Sequence, residues 1–344
     1  MQPPANSISY TNKPSHRLRS LVILSVWLVI LAGVALNRQA IFDRGQDWWQ
    51  LRNYQPPAVI AQLASQDTMT DLGRKLFYVN HPVLADKPTF ARVCPSGGEQ
   101  TIVLGCYHGN QAGIWLLDVN DPRLEGVKQV TSAHEMLHAA YDRLSPAERQ
   151  KVDGLLMDYY QHDLHDQRLL ATIGAYKKSE PKDVANEMHS IFGTEVANLP
   201  PQLETYYKRY FANRAQVAAY AAQYQEVFTS RDNVLKRQKL QLDDLQAQFD
   251  ALQADLKTKQ SAINTMKAQL NSDRSSGDVV AYNAGVPAYN NLINQYNQQV
   301  EELQNLSQEF NSLRQEYNAL VLEQSQLTDE LKSDVPTINK TINN

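Results

Sequence analysis

Residues 131–144 read TSAHEMLHAAYDRL, and their reading decides what kind of domain surrounds them. In a helix, positions four apart share a face. His134 and His138 then point the same way, and both imidazoles can reach one metal ion. Glu135 sits beside them, able to take a proton from a metal-bound water. Val127, Val130, Leu137, Ala140, Tyr141 and Leu144 make the same helix substantially apolar, as expected inside a core. Ser132 and Glu135 also fit a capping box, S-x-x-E, and two histidines can be ordinary helix residues. The chain has only eight histidines, however, so composition alone seldom produces this pattern. A histidine pair with a carboxylate beside it points to Zn2+.

Outward from this helix, expected over 127–144, the signals change. Upstream, TIVLGCYH at 101–108 is rich in strand formers, GNQAG at 109–113 is a turn signal, and IWLLDV at 114–119 is a second strand-like run. Together they predict a β-hairpin, ended by Asp121 and Pro122. KLFYVN at 75–80 also has strand character, and a short amphipathic helix is expected around 58–72. Downstream, Ser145-Pro146-Ala147-Glu148 supplies an N-cap, a proline at the first helical position and a capping-box glutamate. That helix is expected to run to His165 or beyond. A third opens near Pro181 and stops near Gly193. Pro200-Pro201 opens a segment rich in tyrosine: Tyr206, Tyr207, Tyr210, Tyr220 and Tyr224.

The last third of the chain has a different periodicity. Leu235, Leu242, Phe249, Leu256, Ile263 and Leu270 recur every seven residues, with Leu245, Leu252 and Met266 at the companion positions and Lys259 as a polar break. A second seam carries Tyr289, Tyr296, Leu303, Phe310, Tyr317 and Leu331, with Leu292, Leu306, Leu313, Leu320 and Leu327 as companions. Gly277, Gly285 and Pro287 interrupt the two. Such seams predict an antiparallel coiled-coil helical hairpin over 229–334, with pairing between chains as the alternative.

At the other end, residues 21–36 read LVILSVWLVILAGVAL, and 20–37 carry no charge. As a helix at about 1.5 Å per residue the run spans roughly 24 Å, near the short end for a transmembrane anchor. Lys13, Arg17 and Arg19 precede it, which keeps the N-terminus cytoplasmic and the rest of a single-pass chain outside the cell membrane. A signal peptide cut after Ala35 is the alternative. Residues 1–19 read as a disordered cytoplasmic tail, 38–74 as stalk or linker helices, and 335–344 as a disordered tail. In an exported chain the two cysteines, Cys94 and Cys106, read as one loop-closing disulfide. A net charge of −4, no basic run and no Gly-rich phosphate loop argue against nucleic-acid and nucleotide partners.

HEMLH resembles the motif of the zincin zinc metallopeptidases, and the resemblance covers about residues 75–228. It implies a motif helix behind a small sheet whose edge strand aligns the substrate, and a third protein ligand. The metzincin extension HExxHxxGxxH is absent, since AAYDRLS follows His138. Asn186-Glu187-Met188-His189-Ser190 resembles the N-E-x-x-S of the gluzincins, with Ile191 where that pattern carries Asp. On this likeness the metal ligands are His134, His138 and Glu187, with Glu135 as the catalytic base. His189 is the alternative ligand or a transition-state residue, since it cannot share a helix face with Glu187. Glu195, and a cluster of His162, His165 and Asp166, are further candidates. One of Tyr141, Tyr176, Tyr206, Tyr207 and Tyr210 is expected to hold an oxyanion. The layout of anchor, HEMLHAAYDRLS, NEMHSIFGTE and long coiled coil also resembles a bacterial membrane-anchored group.

The fold class expected is therefore α+β: a mostly helical zincin-like domain with a small antiparallel sheet, between a transmembrane helix and a coiled-coil hairpin. The function expected is hydrolysis of a peptide or protein substrate outside the membrane. The coiled coil offers a surface for a protein partner or self-association. The rival is a non-catalytic tethered scaffold, or a cell-wall or division adaptor, that merely binds zinc. Glu135 speaks against it, because a scaffold needs no general base.

Overall fold

A computed structural model describes residues 24–28, 31, 38–95 and 103–332. In chain order the elements are α1 (Arg38–Leu51), α2 (Ala58–Gln66), α3 (Asp71–Tyr78), β1 (Val83–Ala85), α4 (Lys87–Val93), β2 (Gly105–His108) and β3 (Gly113–Leu117). A single 3-10 turn (Pro122–Leu124) leads into α5 (Val127–Asp142), α6 (Pro146–His162), α7 (Gln167–Ser179), α8 (Val184–Glu195) and α9 (Pro201–Tyr207). Two long helices close the chain, α10 (Arg214–Ser276) and α11 (Val279–Leu331). The tails expected at 1–19 and 335–344 lie outside the described residues. So does most of the expected anchor at 20–37, of which 24–28 and 31 are helical and exposed. Among the described residues no helix is long and apolar enough to cross a membrane.

The class is α+β, mostly helical, but the sheet is mixed rather than antiparallel. Its order is β1-β3-β2, with β2 antiparallel and β1 parallel to β3. The β2–β3 hairpin follows its turn signal, with Asn110, Gln111 and Gly113 at φ 59°, 60° and 144°. The parallel strand has no such local mark. It joins through a crossover that includes α4, as parallel pairing requires.

Local capping explains the other departures. KLFYVN is not a strand but the end of α3 and the turn after it. Thr70 caps this helix by accepting from Gly73 N at 3.2 Å, and Leu76 and Phe77 then face the core. A cap is worth about 1 kcal/mol, enough to override a weak strand preference. Helix α6 opens on the expected capping box at Ser145 and Glu148 but stops at His162, because Asp166 caps a new helix by accepting from Arg168 N and Leu169 N. Gly193 does not end α8; a Cβ there would overlap Leu137 and Tyr207, so the glycine serves close helix packing instead.

Helix α5 is the centre of the domain. Thirteen of its sixteen residues are buried, so neighbours cover it on nearly every side. Met136 and Leu137 are fully enclosed with Ile60 of α2, Phe77 of α3, Leu156 of α6, Ile173 of α7, Phe192 of α8 and Tyr207 of α9. Each such large apolar residue is worth about 2–5 kcal/mol against alanine. At the start of α5, Gly126 at φ 102° lies so close to the Tyr220 carbonyl of α10 that a Cβ would sit 2.6 Å away.

Helices α10 and α11 form an antiparallel hairpin. Asp255 accepts from Gln299 at 2.6 Å, Asp232 from Gln324 at 2.6 Å, and Glu323 pairs with Arg231 at 2.8 Å. Leu242, Leu245, Leu256 and Ile263, all positions of the expected seam, are the buried residues of its outer stretch. The reversal is confined to Gly277 at φ 79° and Asp278; Gly285 and Pro287 lie inside α11. At about 1.5 Å per residue, the 53 residues of α11 span roughly 80 Å. The hairpin grows directly from the domain. Leu327 and Leu331 return to a second apolar cluster with Phe90, Leu117, Val119, Leu124 and Val127, and Lys87 pairs with Glu330 at 3.3 Å.

Candidate metal centre

One helical turn separates His134 from His138, and their rings lie 4.8 Å apart. Helix α8 packs across α5 and brings Glu187 to both. Glu187 Oε2 is 3.7 Å from His134 Nε2, and Oε1 is 3.5 Å from His138 Nε2. One donor atom from each of the three residues lies within 4.8 Å of the other two, so they form a group able to hold a metal ion. Two imidazoles and a carboxylate from two helices leave a tetrahedral ion one open position.

Three features of the surroundings suit a cation. Glu187 Oε2 is buried and has no hydrogen-bond partner of good geometry, an orphan that a cation would satisfy. Burial pushes the Glu187 carboxyl up, but the neighbouring His138 and His134 and the hydroxyl of Tyr176 outweigh it. The net shift is below the usual carboxylate range, and Glu187 is ionised. His138 Nδ1 lies 3.0 Å from Asn186 Oδ1, which fixes the ring with Nε2 toward the cluster. Asn186 therefore supports a histidine from the residue before Glu187, although Ile191 stands where the resembling pattern has Asp.

Glu135 lies against β2. A Cβ on Gly105 would come 2.6 Å from Glu135 Oε1 and 2.7 Å from its Cγ. The edge strand thus lies on the carboxylate with no room for a side chain. Together these groups line a cleft of about 610 Å³ that also takes in Tyr107, Tyr176, Thr131, Asn186 and the disulfide. Cys94 and Cys106 are bonded, with Cα atoms 5.9 Å apart.

The other sequence candidates lie elsewhere. His189 is fully buried among Tyr141, Tyr206, Tyr207 and Tyr210, with Nε2 2.9 Å from Tyr206 Oη. Two residues past Glu187 on a helix, it points about 200° away. Burial, with the charges of His138, His134 and Arg209, takes its pKa down to about 3, so it is neutral. His162 and Asp166 do not converge. His162 pairs with Asp158 at 3.1 Å on an exposed face, and Asp166 is the cap of α7. Glu195 lines the far end of the cleft but is held by Arg168 at 2.7 Å and Gln225 at 2.9 Å. Of the five tyrosines, Tyr176 alone both lines the cleft and bonds Glu187. Sequence reasoning missed Gly105 and Tyr107. A glycine inside a strand signals close approach of another chain segment, and that sign was present beside Cys106.

No protein family matches this chain, and no curated protein or solved structure matches it.

Proposed function

We propose that the protein is a zinc-dependent peptidase with His134, His138 and Glu187 as metal ligands and Glu135 as general base. The convergence of Glu187 on both motif histidines carries this reading. The donor set of two imidazoles and one carboxylate is that of hydrolytic zinc sites, and the HEMLH motif resembles that of the zincins. When bound, zinc lowers the pKa of a water and polarises a carbonyl. Glu135 takes the proton from the attacking water and returns it to the leaving nitrogen. With Glu187 committed to a metal ion, the Tyr176 hydroxyl is released to donate to the oxygen that gains charge in the transition state. Asn186 holds His138 in its productive tautomer. Among the described residues strand β2 has only β3 beside it, and its outer edge offers an extended peptide a place to pair along the cleft. The burial of Glu135 beside β2 also favours an enzyme over a scaffold.

The apolar run at 21–36, with basic residues before it, supports a membrane anchor with the catalytic domain outside. The buried seam of α10 supports reading the hairpin as a coiled coil, an arm long enough to engage a partner well away from the domain.

The test uses the full chain purified in detergent. It should carry about one zinc per chain and cleave an unstructured protein. Glu135→Gln should keep the zinc and lose cleavage, whereas Glu187→Ala should lose both. A zinc-loaded chain that cleaves nothing would return the scaffold reading, and a chain that takes up no zinc would refute both.

A further inference from the structure

Cys94, Cys106 and His108 are a second set of converging ligand-type side chains. One donor atom from each lies within 4.8 Å of the others, and His108 Nε2 stands 3.3 Å from Cys106 Sγ. Strand alternation puts Cys106 and His108 on one side of β2. Cys94 meets them from the C-terminal end of α4. Cys94 is buried, Cys106 half-buried and His108 exposed, so the group is open to water at His108.

We propose that the disulfide is the oxidised state of a second metal site, in which the two thiolates and His108 hold one zinc-class cation. A dithiol reductant gives two electrons and two protons to the sulfur–sulfur bond. That bond breaks, the reductant becomes its own disulfide, and Cys94 and Cys106 become thiols. The incoming cation displaces the two thiol protons to solvent, and His108 donates a ring-nitrogen lone pair through Nε2. Zn–S bonds of about 2.3 Å and Zn–N bonds of about 2.0 Å set tetrahedral ligand atoms about 3.5–3.8 Å apart. The observed sulfur–nitrogen spacing is near that value. The two sulfurs need only part by about 1.7 Å, within reach of a side-chain rotation. Water takes the fourth position on the exposed side. Thiolates favour zinc or Cu(I) over magnesium and calcium.

Oxidation state therefore decides whether the wall of the cleft is a covalent clasp or a metal site. Both cysteines line that cleft, and Gly105, next to Cys106, presses on Glu135. The proposal stands on this wall alone and does not depend on peptide hydrolysis.

The experiment titrates Co2+ into the full chain, oxidised or reduced with a non-chelating phosphine. The reduced chain should bind one equivalent more than the oxidised chain. That increment should bring a sulfur-to-cobalt charge-transfer absorption that the oxidised chain lacks. A double variant, His134→Ala with His138→Ala, should lose the other equivalent and keep this one. His108→Ala leaves the disulfide in place. It should weaken the extra equivalent by at least about tenfold, the smaller loss seen when a mere supporting partner is removed. No increment on reduction, an increment without the sulfur band, or full affinity in His108→Ala would each overturn the proposal. So would loss of the helical circular-dichroism signal on reduction, because the geometry requires a site that is already folded.

Discussion

Gly105→Ala is the sharpest perturbation of the contact between the edge strand and the motif helix. The added methyl would lie 2.6 Å from Glu135 Oε1, 2.6 Å from Thr131 Cγ2 and 2.7 Å from Glu135 Cγ. Carbon atoms in good contact sit about 3.5–4.0 Å apart, so something must move by about 1 Å. The end of the Glu135 side chain could swing aside, but Cγ and the Thr131 methyl are anchored near the backbone of α5. Either the carboxylate leaves its position or β2 lifts from the helix. Overpacking of this kind costs about 1–3 kcal/mol of stability. A general base misplaced by about 1 Å costs about 100-fold in rate. No atom of His134, His138 or Glu187 is among the nearest to the new methyl, so zinc affinity should hold. The assay compares zinc content, denaturant midpoint and cleavage of an unstructured protein in the wild type and variant. Zinc retained with hydrolysis down by about 100-fold is the expected pattern. Undiminished hydrolysis and an unchanged midpoint would refute the reasoning, since β2 would then not lie on Glu135.

Asn186→Ala removes the oxygen that fixes His138, and should weaken zinc binding by about 10- to 100-fold in a chelator competition while the fold is kept. Asp67 is fully buried, and burial pushes its carboxyl well above the usual range despite the hydrogen bond from Ser132. As pH rises past about 3.9, the unfolded chain sheds this proton while the folded chain keeps it, so stability falls by about 1.4 kcal/mol per unit until the folded group ionises. Asp67→Asn should therefore gain stability over wild type between about pH 4 and pH 7, read from urea midpoints; a gain that shrinks with rising pH would contradict the neutral carboxyl. Arg214, buried at the start of α10, pairs with Glu204 and donates to the Val196 and Ala197 carbonyls. Arg214→Ala should cost about 3–5 kcal/mol, toward the lower end because Glu204 stays partly in water, as measured by chemical denaturation.

The histidine pair on one helix face, the capping box at Ser145, the β2–β3 turn and the repeating seam were legible because each depends on neighbours within about one turn or one loop. KLFYVN misled for the complementary reason. Its side chains suit a strand, but Thr70, just upstream, caps a helix through it. Gly285 and Pro287 misled too. Gly285 lets the two long helices approach, since a Cβ there would come 2.9 Å from Leu270, and it breaks nothing.

By itself, the sequence determined the helix that carries His134 and His138 on one face, Glu135 beside them, the paired cysteines and the two long helices. Their signals are spacings and caps, and short-range backbone geometry is sufficient to act on those. Only the tertiary structure decided that Glu187 meets His134 and His138 while His189 turns into a tyrosine-lined core. It alone also decided that Tyr176, among five tyrosines, borders the cleft, and that β1 joins the sheet in parallel. Those outcomes depend on how α8 crosses α5 and how β2 lies on Glu135, contacts between segments tens of residues apart that no local pattern encodes.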